Sequence, residues 1–176
     1  IRKITCRYEK GFMVNKWHSE IWDRRFLDVA KTFSKFSKDP STKVGAVLVD
    51  TEGRVVATGY NGFPKGVSDD PERYANRELK YELVVHAEIN AILTAGHQAR
   101  GGTLYVYPSF GSPCMCTGCA KAAIQAGVER VVGLSEKIDD ERLARWKASL
   151  HNAQLMCDEA GLEVSIYPSF DGTEKV

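Results

Sequence analysis

Apolar residues recur at helical spacing early in the chain, at Trp22, Phe26, Val29, Ala30, Phe33 and Phe36, with Ser19 ahead of them as a candidate N-cap. This predicts a helix whose aromatic stripe packs into a core and which stops at Asp39-Pro40-Ser41. The pattern then changes period. Val44 to Val49 is a nearly continuous apolar run and Arg54 to Tyr60 a second β-prone run. Thr51-Glu52-Gly53 between them reads as a tight hairpin turn. The stretch Gly59-Tyr60-Asn61-Gly62-Phe63-Pro64-Lys65-Gly66 breaks regular structure with three glycines and a proline. A loop is expected from there through Ser68-Asp69-Asp70-Pro71 to about Glu78, and so long a loop in a compact domain is usually functional.

Helical and extended segments alternate in the remainder. A helix is expected from about Val85 to Ala95, stopped by Gly96, and a strand from Thr103 to Tyr107, ended by Pro108. Thr117 to Ala126 reads as a helix closed by Gly127, and Glu129 to Leu134 as a strand. From Asp139 a longer helix carries Leu143, Trp146, Leu150, Ala153 and Cys157 on one face, and Gly161 ends it before a last strand, Leu162 to Tyr167. This order predicts an α/β fold with a mixed five-stranded sheet and helices on both faces. Tyr-Pro-Ser-Phe occurs at 107–110 and again at 167–170, read as two similar strand exits. Residues 1–16, basic and reaching a candidate translation start at Met13, read as an N-terminal appendage. A single domain is expected over 17–170, with a short tail at 171–176.

Composition narrows the class. The chain has 176 residues, 43% hydrophobic and 27% charged, enough for one domain with a proper core. Its formal net charge of +1 carries no global basic field, which argues against nucleic acid as the partner. No apolar run approaches the roughly 20 residues that span a bilayer. Three of the five cysteines, Cys114, Cys116 and Cys119, fall within six residues, which suits metal binding in a reducing, cytoplasmic setting better than a disulfide framework.

The chemistry concentrates in two segments, His86-Ala87-Glu88 and Pro113-Cys114-Met115-Cys116-Thr117-Gly118-Cys119. One imidazole (His86) and two thiolates (Cys116, Cys119) form a three-ligand set for Zn2+ that leaves a fourth position for water, the open pattern of catalytic zinc. Glu88, two residues after the histidine, is a carboxylate placed to move protons at that water. Both half-sites fall at expected helix N-termini, where the backbone dipole favours thiolates. The Ala87 N–H is there a candidate to bind a ligand oxygen. Read literally, Pro113-Cys114 calls for a partner at position 117, which is Thr117. The usable C-x-x-C is therefore Cys116 with Cys119, and Cys114 is an extra thiol. Cys157, on an apolar helical face, reads as a small core residue.

The His-x-Glu and Cys-x-x-Cys pair resembles the signature of zinc-dependent nucleobase deaminases. Around it the chain is similar to the deoxycytidylate (dCMP) deaminases from about Phe36 to Ile166. The matching segments are Lys38 to Ala46, Gly59 to Gly66 with Ser68-Asp69-Asp70, His86 to Ile92, Cys119-Ala120-Lys121, and Ile124 to Gly127. The zinc motif is specific for the chemistry, whereas Gly-Tyr-Asn-Gly-x-Pro-x-Gly followed by Ser-x-Asp discriminates the substrate.

The resemblance implies a three-layer α/β/α cytidine-deaminase-like fold and hydrolysis of dCMP to dUMP and ammonia, which feeds thymidylate synthesis. It implies His86, Cys116 and Cys119 as zinc ligands, Glu88 as proton shuttle and Asn61 as a contact to the sugar. Ala87 would then receive the base carbonyl. Lys43 and Lys65, in the two matching segments, are candidates for the phosphate. A homo-oligomer, commonly a hexamer, with dCTP and dTTP as effectors and Mg2+ on their phosphates, is also implied.

Other readings compete. A free-nucleoside cytidine deaminase is disfavoured because the Asn61 loop motif is the nucleotide type. A related nucleotide such as dCTP or a 5-modified dCMP could be the substrate. Pro113-Cys114-x-Cys116 also resembles the cysteine segment of the tRNA adenosine deaminases, one residue short. A non-catalytic nucleotide-binding protein would need a fourth protein ligand on a structural zinc, and Cys114 is available for it.

Overall fold

A computed structural model describes residues 17–136 and 139–168. The elements run α1 (Glu20–Ser34), β1 (Gly45–Val49), β2 (Val55–Tyr60), α2 (Pro71–Ala75), α3 (Arg77–Leu83) and α4 (Ala87–Ala95). A 3-10 turn (Gly96–Ala99) leads to β3 (Thr103–Ser109), α5 (Thr117–Ala126), β4 (Arg130–Ser135), α6 (Asp140–Ala160) and β5 (Glu163–Pro168). The sheet has the order β2-β1-β3-β4-β5. β1 is antiparallel to both β2 and β3, whereas β3, β4 and β5 run parallel. The expected mixed five-stranded sheet is present, in three layers.

Each face of the sheet has its own core. On one side α1 presses Phe26, Leu27 and Ala30 against Val47, Val49, Tyr105, Val132 and Leu134. On the other, α4, α5 and α6 cover Ala46, Leu48, Leu104, Val106 and Val131 with small residues such as Ala87, Ala91, Ala120, Ala123, Ala153 and Cys157. Small side chains let these helices sit close to the strands. One such close approach is at Gly59 in β2, where a Cβ would stand 2.2 Å from the Ala87 carbonyl oxygen. Glycine there allows the N-terminus of α4 to rest on the sheet.

Some sequence expectations change. Phe36 continues the aromatic stripe but lies beyond the end of α1 and is 56% exposed, packing edge-on with Phe33 and Tyr60. The expected loop to Glu78 contains two short helices. Asp70 caps α2 by accepting from the Glu72 N–H, with Pro71 at the first helical position, and Asn76 caps α3 through the Leu79 N–H. Val85 is not helical but pairs with Gly62 in a short bridge. β3 continues through Pro108 to Ser109, with its register against β4 shifted between Val106 and Ser109. Proline offers no N–H to the ladder, so the strand accommodates it as an irregularity. The appendage at 1–16, the tail at 171–176 and the end of the second Tyr-Pro-Ser-Phe copy lie outside the described residues.

Candidate active site

Two helix N-termini converge on one cleft. His86 is the N-cap of α4 and Cys116 the N-cap of α5, which places Glu88 and Cys119 within the first turns of the two helices. The His86 Nδ1 lies 3.3 Å from the Cys116 Sγ and 3.4 Å from the Cys119 Sγ, and the two sulfurs are 3.6 Å apart. A tetrahedral zinc with bonds of about 2.0 Å to nitrogen and 2.3 Å to sulfur needs ligand atoms roughly 3.5–3.8 Å apart. The trio fits that ion in donor chemistry and in spacing. Cys114 is not part of it.

The three groups polarise one another. Hydrogen bonding with Cys119, aided by His86, draws the Cys116 thiol down to about 4 against the opposing effect of burial. Hydrogen bonding with Cys116 lifts His86 to about 9. Cys119 is pushed up by the bond it shares with Cys116 and by burial. A metal requires deprotonated ligands, and a thiolate already favoured at Cys116 meets part of that requirement. Glu88 is buried beside the trio, and burial raises its carboxyl above the ordinary value.

The cleft has a volume of about 790 Å3, counting the part open to solvent. Its lining includes His86, Ala87, Glu88 and Cys116, and Ala87, as the first residue of α4, has an N–H without an acceptor inside its helix. Asn61 also lines it, but both ends of its amide are engaged. Its Oδ1 accepts from the Val44 N–H at 2.8 Å and its Nδ2 donates to the Thr42 carbonyl at 2.9 Å. One N–H and one lone pair remain for a ligand. Lys43 and Lys65 are exposed, and neither lines the cleft.

The structure adds residues that the sequence reading missed. Lys80, on α3, lines the cleft and donates to Ser41 Oγ at 2.6 Å while pairing with Asp39. Its helix carries a cap signal at Asn76, but nothing local marks the lysine itself. Trp146 and Leu150, expected on one face of the long helix, line the cleft with Phe110. The acids of the Ser68-Asp69-Asp70 segment have local duties. Asp69 binds Lys38 at 2.7 Å and the Tyr74 hydroxyl at 3.0 Å, and Asp70 is the α2 cap. Cys114 is buried at a left-handed φ of 63°, its Cβ seated over Gly133, where a Cβ would stand only 2.6 Å away.

A His-x-Glu on one helix and a Cys-x-x-Cys on another, both resting on one face of a five-stranded α/β/α sandwich, form the architecture of zinc-dependent hydrolytic nucleobase deaminases. Residues 20–135 match the model of the cytidine and deoxycytidylate deaminase zinc-binding region, and the chain belongs to that family. Human deoxycytidylate deaminase is 40% identical over 158 residues, covering 85% of this chain and 81% of that protein. The mouse deoxycytidylate deaminase is 42% identical over 145 residues, covering 78% and 74%. An uncharacterised deaminase from the luxG 3' region of Aliivibrio fischeri is 39% identical over 149 residues, 84% of this chain and 94% of that protein. Among solved structures, the apo dCMP deaminase of cyanophage S-TIM5 superposes with a TM-score of 0.62 at 25% identity, covering 85% of this chain and 99% of that one. Among the described residues no helix is long and apolar enough to cross a membrane.

Proposed function

We propose that this chain catalyses the hydrolytic deamination of dCMP, consuming water and releasing dUMP and ammonia. The observation that carries the chemistry is the meeting of His86, Cys116 and Cys119 within 4.8 Å of one another beside a buried Glu88. Relatives named deoxycytidylate deaminase, covering most of the chain, support the substrate.

In this reading His86, Cys116 and Cys119 hold the zinc. When bound, zinc supplies a Lewis acid that brings the pKa of its water towards about 7. As the water oxygen bonds to C4, Glu88 takes one of its protons and delivers it to the ring nitrogen next to C4. It then moves the remaining proton of the new C4 hydroxyl to the amine, whose bond to C4 breaks as ammonia leaves and the carbonyl forms. The Ala87 N–H donates to the base carbonyl, an interaction that the N-terminal dipole of α4 strengthens. Asn61 uses its spare N–H or lone pair on the sugar. Glu88 is itself buried, so its carboxylate acts on the bound molecule rather than on bulk solvent.

The finer reading extends to a cytoplasmic homo-oligomer, with effector nucleotides and magnesium carried by the family resemblance alone. Light scattering of the protein with and without dCTP, dTTP and Mg2+ tests that extension. The substrate is tested by incubating zinc-loaded protein separately with dCMP, dCTP, deoxycytidine, CMP, 5-hydroxymethyl-dCMP and a tRNA anticodon stem-loop. Turnover of dCMP in preference to the others is expected. Turnover of the RNA without dCMP contradicts the proposal.

A further inference from the structure

We propose that Trp146 is a substrate-contacting residue whose indole packs against the pyrimidine ring of the bound nucleotide and selects for a flat base at the metal. The proposal deepens the dCMP reading and rests on it.

The cleft lining mixes two kinds of residue. Asp39, Thr42, Asn61 and Lys80 are joined in one polar network, while Trp146 and Leu150 stand one turn apart on α6 and line the cleft with Phe110. Deamination requires the amine-bearing carbon of the base to meet water beside the His86, Cys116 and Cys119 trio. The ring must therefore lie within about its own breadth of the His86 imidazole. Trp146 borders that place. Its ring centroid is 6.3 Å from that of His86, with the planes at 63°, and the indole lines the same cleft. On its other flank it meets Tyr81 edge-on, again at 6.3 Å. An aromatic surface beside the metal suits a pyrimidine, because every base offers a π-face to stack or abut. The sugar and phosphate, which need hydrogen bonds, are left to the polar residues of the lining.

The indole is also held in a fixed relation to the metal ligands. Thr117, the residue after Cys116, binds Ser149 three times. Its N–H donates to the Ser149 hydroxyl at 3.0 Å, its hydroxyl donates to the Ser149 carbonyl at 3.0 Å, and the two hydroxyls lie 2.8 Å apart. Ser149 stands three residues beyond Trp146 on α6, on the neighbouring turn. The N-terminus that presents Cys116 and the turn that presents Trp146 are thus one pinned unit. The expected core contacts of α6 are made further along, by Ala153 and Cys157.

The test separates base from sugar. Zinc-loaded Glu88→Gln protein, with Trp146 intact or changed to Phe or Leu, is titrated calorimetrically with dCMP and, in parallel, with 2-deoxyribose 5-phosphate. The Leu variant is expected to bind dCMP about tenfold or more weakly, in keeping with the usual worth of a base–aromatic contact. The Phe variant recovers most of that loss, and the baseless sugar phosphate binds all three alike. Intrinsic fluorescence gives a second readout, since Trp17 and Trp22 pack against each other at α1, on the opposite side of the sheet. dCMP should quench the protein with Trp146 and not the Trp146→Phe variant, a comparison that stands even if the Leu variant fails to fold. Unchanged dCMP affinity in Trp146→Leu, equal weakening of dCMP and sugar phosphate, or quenching that persists without Trp146 overturns the assignment. None of these outcomes touches the deaminase reading, which turnover of dCMP by the unaltered protein decides. Absence of that turnover overturns both.

Discussion

The Lys80 Nζ lies 3.2 Å from Asp39 Oδ2, in a pair whose side chains are 9% and 3% exposed. Asp39 also accepts from the Ser41 N–H at 2.8 Å, the Ser41 hydroxyl at 2.9 Å and the Thr42 N–H at 3.1 Å. Thr42 in turn receives the Asn61 amide. One continuous network therefore joins α3, the segment before β1 and the candidate sugar contact. Removing one partner of a buried pair strands the other charge, which costs about 3–5 kcal/mol. Lys80→Met should lower unfolding stability by roughly that amount in urea titrations and raise the KM for dCMP by loosening Asn61. A variant with unaltered stability and KM would show that the network is idle.

The same carboxylate sets an acid limit. Burial alone would raise the Asp39 pKa, but the Ser41 and Thr42 donors and the Lys80 ammonium outweigh it and hold the carboxyl below its ordinary value. A folded pKa below the unfolded value gives stability that is present above about pH 4 and lost as pH falls through the folded pKa. Urea midpoints measured between pH 3 and pH 7 should fall at the acid end more steeply for the wild type than for Asp39→Asn. Parallel curves would exclude Asp39 as a contributor.

A second buried ion pair works on the far face of the sheet and should affect stability alone. Arg130 binds fully buried Asp23 through two bonds, at 2.6 and 2.7 Å, and Asp23 also accepts from the Tyr105 and Tyr167 hydroxyls. The network ties α1 to β3, β4 and β5, away from the cleft. Arg130→Met should cost about 3–5 kcal/mol in denaturant unfolding while zinc content and low-temperature kcat/KM persist. Loss of activity in a folded, zinc-replete variant would contradict that separation.

What the sequence disclosed follows from how local each signal is. The trio could be read because its ligands cap two helices, so a few adjacent residues specify both the chemistry and its placement. Strand and helix periods gave the sheet, because β1 and β3 are buried along their lengths and α5 is bounded by Thr117 and Gly127. Lys80 was not readable, since it acquires its meaning only from Asp39, 41 positions away. Trp146 was legible only as part of an apolar helical face. Helical periodicity identifies an apolar face but cannot say whether that face meets a core or a cleft, and on α6 it meets both, the cleft at Trp146 and Leu150 and the core at Ala153 and Cys157. α2 and α3 were hidden in a polar stretch too short for an apolar stripe, although their caps were in view.

Cys114 discriminates a catalytic from a closed structural metal. It lies outside the ligand group and is buried among apolar residues, and burial pushes its thiol well above the usual range. Cys114→Ala should retain one zinc per chain by metal analysis, whereas Cys116→Ala and Cys119→Ala should lose it. A zinc-free Cys114→Ala protein that remains folded would make Cys114 a fourth ligand and close the position that water needs.

Glu88→Gln offers the most direct measurement, because it removes the proton carrier and leaves the ligand trio untouched. Zinc content, dCMP binding and release of dUMP with ammonia are measured on the same preparation as the wild type. The expected result is zinc and dCMP bound as in the wild type, with turnover lowered by about 100-fold or more. Near-normal release of dUMP by the variant, or a zinc-replete wild type that releases none, would contradict the proposed deamination at this site.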